Sequence, residues 1–144
     1  MRNLETLANA DTVSDPSDAG SIASILVELI TSSLLDHSHV TTRVASASLA
    51  FNLATANYRV RREETREGLE EGAQVELAAS LLETLSGEDS GDASKALLLA
   101  LGYLVYCAPK GGELLDLMKA LDAKAIVSSC KGQDALAKEV GLLL

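Results

Sequence analysis

Apolar residues recur along this chain at intervals of three and four, the period of a helix buried on one face. Between about residues 18 and 35, Ile22, Ile25, Leu26, Leu29, Ile30, Ser33 and Leu34 form one such stripe, with Ser17 or Asp18 placed to cap its start. "DHSH" interrupts it, and Ser38 or Thr41 can cap a second helix over roughly 40–62. There Val44, Ala47, Ser48, Phe51, Ala54, Thr55 and Tyr58 mark one side, while Ala45, Leu49, Asn52, Leu53 and Ala56 mark another. A helix apolar on two sides is expected between neighbours rather than on a surface. The charged segment "RVRREETREGLEEG" then leads into a helix over about 70–86, with Val75, Ala78, Ala79, Leu82 and Leu85 on its buried side. After the polar linker "GEDSGD", "ASKALLLALGYLVYCAP" is apolar all round from Ala96 to Ala108 and must stop before Pro109. Shorter helices follow over about 112–121 and 123–130, and a last one runs from Gln133 to the end. At the other end, Leu4, Leu7 and Ala8 suggest a helical stub ending near Asn9. "NADTVSDPSDAGS" then reads as a linker in which Pro16 and Gly20 restrain helix.

The two most apolar helices echo one another. "SLAFNLA" (48–54) and "LLALGYL" (98–104) share an apolar pattern at an offset of fifty residues. Each follows an amphipathic helix with a leucine pair, Leu34-Leu35 or Leu81-Leu82, and a polar linker. A buried helix after shorter amphipathic ones, repeated every ~40–50 residues, marks an armadillo or HEAT solenoid rather than an irregular bundle. The expected class is all-α, an armadillo/HEAT-like right-handed helical solenoid fragment, as one domain over 1–144.

Composition narrows the function. Hydrophobic residues make up 47% of the 144, enough for a packed domain, and nearly all are Leu, Ala, Val or Ile. The aromatics are Phe51, Tyr58, Tyr103 and Tyr106, with no tryptophan. A net charge of −9 argues against a nucleic-acid binder and a polybasic membrane anchor. Cys107 and Cys130 stand apart with no CxxC spacing, so free thiols in a reducing compartment are expected. With no apolar core in Met1–Asn9 and no long apolar run, the expectation is a soluble protein of the cytoplasm or nucleus. No Walker loop, GxGxxG or HExxH is present, and neither cysteine has a histidine-containing nucleophile motif. His37 and His39 fall in a polar turn with only Asp36 beside them, a solvated turn rather than a metal site. The expectation is a non-enzyme with no cofactor and no metal.

What remains is recognition chemistry. Asn52, set into an apolar helix, has two readings. Its amide can pair with the main chain of an extended peptide in a groove, or tie one repeat to the next. Arg59, Arg62 and Arg66, at i, i+3 and i+7, form either a basic ridge for an acidic peptide or pairs with Glu63, Glu67 and Glu70. Arg43 and Lys95 add to the basic set, Lys95 at the head of the most apolar helix. The candidate peptide-binding residues are Lys95, Asn52, Arg43 and Arg59.

"VASASLAFNLATANY", a charged gap, "LAASLLETLSGEDSGDASKALLLALGYLV", "ALDAKAIV" and the terminal "AKEVGLLL" resemble, over about residues 40–144, the C-terminal part of the PUL domain. This is the armadillo-like module of PLAA and ubiquitin-fusion-degradation proteins. It also occurs in some fungal proteins fused to thioredoxin-like or deSUMOylase-like domains. The resemblance implies a face that docks the acidic C-terminal tail of a Cdc48-type (valosin-containing) AAA ATPase in ubiquitin-dependent turnover. It places Lys95 at the basic position before "LL-x-ALG". It also places Glu5, in Leu4-Glu5-Thr6-Leu7-Ala8-Asn9, where an arginine stands in the family, and a carboxylate there repels an acidic tail. It further implies that the chain spans the later repeats of a longer module, leaving an apolar N-terminal repeat end through which copies can associate. The alternative is a scaffold or oligomerisation domain packed against a fused catalytic domain.

Overall fold

Leucine- and alanine-rich stretches separated by Gly, Pro and charged breaks form helices, as their propensity and period dictate. The computed structural model describes residues 16–35, 39–63 and 68–144, with side chains from residue 22. Among them are seven helices and no strand: α1 Pro16–Leu35, α2 Val40–Glu63, α3 Glu71–Gly87, α4 Gly91–Cys107, α5 Glu113–Ala120, α6 Ala123–Ser128 and α7 Asp134–Leu143. The expected stub at Leu4–Ala8, Glu5, His37 and Arg66 lie outside the described residues. Pro16 opens α1 instead of blocking it, because the first helical position has no use for its missing N–H.

The helices stack in two columns. In one, α3 packs between α1 and α6; in the other, α4 packs between α2 and α7. Cross-contacts α1–α2, α3–α4 and α6–α7 join the columns, and α5 fills in against α3 and α6. Neighbours in the second column are parallel. Arg43 at the start of α2 reaches Glu88 just ahead of α4, and Tyr58 near the end of α2 meets Tyr106 near the end of α4. Likewise Gln133, just ahead of α7, donates to the Gly91 carbonyl at the start of α4 (3.2 Å). Repetition of helix pairs in parallel register makes this an armadillo-like solenoid.

Side-chain size sets the spacing within the columns. Ala47, Ala50 and Ala54 are fully buried along α2, so its backbone lies close to its neighbours. Gly102 does the same where α4 meets α7, since a Cβ there would lie 3.2 Å from Val140 Cγ2. Leu77, Leu81, Leu97, Leu101 and Leu104 fill the volume between the columns.

On α1 the stripe facing the core is Val27, Ile30 and Leu34, whereas Ile25 and Leu29 are 53% and 58% exposed. The reason is that the apolar stripe is broader than the face the described helices cover, so its Ile25–Leu29 edge is left in the open while Val27, outside the expected stripe, is buried. On α2, Asn52 is exposed, which excludes the inter-repeat tie read for it. Asn57 fills that role. Its Oδ1 accepts from the Leu69 amide (2.7 Å) and from Arg61 Nε (3.3 Å). Gln74 Nε2 and Arg61 Nη2 both donate to the Leu69 carbonyl (2.7 and 3.0 Å), completing a knot that pins the approach to α3.

Candidate peptide-binding face

The second column presents one continuous outer surface, because its three helices run side by side and each buries its opposite face. On α2, Asn52, Ala56 and Arg59 follow one another at four and three residues and are all exposed. On α4, Lys95 is exposed and lies one turn before Leu99 on the same side. Asn52, Arg59 and Lys95 are thus all exposed, the first two on α2 and the third on the neighbouring α4. Arg59 and Lys95 make no ion pair among the described residues.

Arg43 is placed differently. Its Nε lies 2.8 Å and its Nη2 3.2 Å from the two oxygens of Glu88, and Asp89 lies 3.8 Å from Nη2. The Glu88 side chain is only 1% exposed and also accepts from the Ser90 amide (3.1 Å). Ser90 in turn caps α4, its side chain accepting from the Ala93 amide. Burial pushes the Glu88 carboxyl up, but the bonds from Arg43 and Ser90 outweigh it, and the carboxyl titrates below its ordinary value. Arg43 thus holds the α3–α4 connection in register with the start of α2. The "GEDSGD" linker is anchored at its glutamate rather than wholly solvated.

An open groove of ≈ 390 Å³ lies between α4 and α7, and its lining includes Leu99, one helical turn after Lys95. Its walls include Leu99, Tyr103 and Tyr106 of α4, Tyr58 of α2, and Glu139 and Leu143 of α7. The aromatic rings form one chain of contacts: Phe51–Tyr103 at 5.9 Å, Tyr58–Tyr103 at 5.4 Å and Tyr58–Tyr106 at 5.7 Å, each tilted or edge-on. Periodicity pointed to the cationic residues but not to this cluster. The available signal was compositional, since all four aromatics of the chain sit in the two inner helices. The cysteines stay outside it. Both thiols are half-buried, and burial pushes both up, with Arg61 partly opposing the effect at Cys107.

A family model, that of the PUL domain, matches residues 5–142. The chain belongs to the PUL domain family. No curated protein and no solved structure matches it. The match extends well ahead of the stretch of about 40–144 that carries most of the resemblance, so α1 is part of the PUL domain. PUL domains are protein-interaction modules, a binding family rather than a catalytic one. No helix among the described residues of this PUL domain is long and apolar enough to cross a membrane.

Proposed function

We propose that this PUL domain docks the acidic C-terminal tail of a Cdc48-type AAA ATPase on its α2–α4–α7 face, as an adaptor in ubiquitin-dependent turnover in the cytoplasm or nucleus. The observation that carries this reading is the exposure of Lys95, Arg59 and Asn52 on the two helices, α2 and α4, that also contribute the tyrosines of the groove. Cations on a face receive carboxylates through charge-assisted bonds, and an exposed amide pairs with main chain whatever the side chain. Arg43 serves by fixing α2 against the α3–α4 connection, not by direct contact. Titration of a fluorescein-labelled acidic tail peptide, read by anisotropy, tests the proposal. Lys95→Glu is expected to weaken binding by roughly tenfold or more, as for removal and reversal of one interfacial charge. Absence of binding, or binding indifferent to Lys95→Glu, sinks it.

A second reading, self-association as a scaffold, is favoured by a different observation. Ile25 and Leu29, one turn apart on α1, are both exposed on the side of the helix away from its buried stripe. Light scattering at low salt distinguishes it. A mass above the monomer that falls to the monomer in Ile25→Glu/Leu29→Glu supports it, and a monomeric wild type refutes it.

A further inference from the structure

We infer that the groove between α4 and α7 seats a basic side chain of the docked peptide, so that the segment recognised carries mixed charge rather than acid alone. This rests on the reading of the face as a peptide-docking surface. Glu139 is exposed on the α7 wall and makes no ion pair among the described residues. An acidic residue entering the groove would be repelled by it, and a purely apolar one would strip water from the carboxylate without replacing it. An arginine or lysine satisfies both parts of the lining. Its aliphatic stem lies on Leu99 and Leu143, while its head meets Glu139 and the ring of Tyr106, which is 63% exposed. Val140, packed on Gly102, fixes the turn of α7 that carries Glu139. Glu139 thus gives a basic group of the peptide a place to land on the α7 wall.

The geometry also sets a spacing. Lys95 precedes Leu99 by one helical turn, about 5–6 Å. In an extended peptide, residues two apart lie on one side and are separated by roughly 6.6 Å. A carboxylate on Lys95 therefore goes with a basic residue two positions away in the groove.

The test compares three labelled peptides by anisotropy: an acidic peptide with arginine two residues from an aspartate, the same peptide with citrulline in place of arginine, and an isomer with the arginine moved to the far end. The first is expected to bind about fivefold or more tighter than the other two, the measure of one charge-assisted contact. Glu139→Gln is expected to erase that preference, and Glu139→Lys to reverse it, while Lys95→Glu still weakens all three peptides. Equal binding of the arginine and citrulline peptides, with the Lys95 dependence intact, overturns the inference and leaves the docking reading standing. Failure of every peptide to bind, or indifference to Lys95→Glu, overturns the docking reading and this inference with it.

Discussion

Replacing Asn57 by alanine removes the side chain that accepts the Leu69 amide in the knot ahead of α3. Asn57 is 4% exposed, and its Oδ1 takes the Leu69 amide at 2.7 Å, with Leu69 itself 7% exposed. Losing the acceptor leaves that amide buried and unpaired, which costs about 1–3 kcal/mol. One term opposes this. Asn57 Nδ2 is already buried without a partner, so alanine also removes an existing penalty. The expected net loss is about 2 kcal/mol, which for a chain of this size lowers the thermal midpoint by roughly 6 °C. In urea, with a slope of about 2 kcal/mol/M, the midpoint falls by about 1 M. Asn57→Asp keeps the acceptor, drops the unpartnered donor and places a carboxylate beside Arg61, so it is expected to lose less than half as much. Asn52→Ala is the control, because Asn52 is exposed and its substitution should stay within about 0.5 kcal/mol of wild type. Urea titration followed by circular dichroism at 222 nm measures all three variants. If Asn57→Ala and Asn52→Ala came within about 0.5 kcal/mol of one another, the assignment of a structural role to the Asn57–Leu69 bond would be wrong.

Gly68 lies against the same knot, and a Cβ there would collide with Asn57 Oδ1 and approach Arg61 Nε to 2.8 Å. Gly68→Ala is expected to destabilise by about 2 kcal/mol, and the double variant with Asn57→Ala by clearly less than the sum, as a double-mutant cycle would record. For Glu88, a folded-state value below the unfolded one adds stability above the unfolded value, and that stability is lost as pH falls through the folded value. The stability gap between wild type and Glu88→Gln should therefore be constant near neutrality and narrow below about pH 4.3, the ordinary glutamate range. Urea midpoints measured from pH 7 to pH 3 check the slope. Leu101→Ala opens a cavity at a fully buried site between the columns and should cost about 2–5 kcal/mol, read from the same titrations.

The helices were legible in the sequence because their apolar period is long and their breaks are chemically plain, as at Pro109. The solenoid was legible from the echo between the segments around Phe51 and Leu101, which lie in the parallel neighbours α2 and α4. The roles of the two asparagines were not. Asn52 and Asn57 sit in the same helix among the same small apolar residues, and which one is buried depends on a rotation that only the neighbouring helices set. The exposure of Ile25 and Leu29 was hidden for a similar reason, since a broad apolar stripe does not reveal which of its edges has company. Arg43 and Glu88 are forty-five residues apart, and no local pattern links them. Glu139 entered the site only through packing of the terminal "AKEVGLLL" against α4.

The concentration of every aromatic ring at the α2–α4 seam has an optical consequence. With no tryptophan, and with Tyr58 in contact with both Tyr103 and Tyr106, the near-ultraviolet dichroism and intrinsic emission of this PUL domain both originate beside the groove. The protein thus carries a label-free reporter placed at that face.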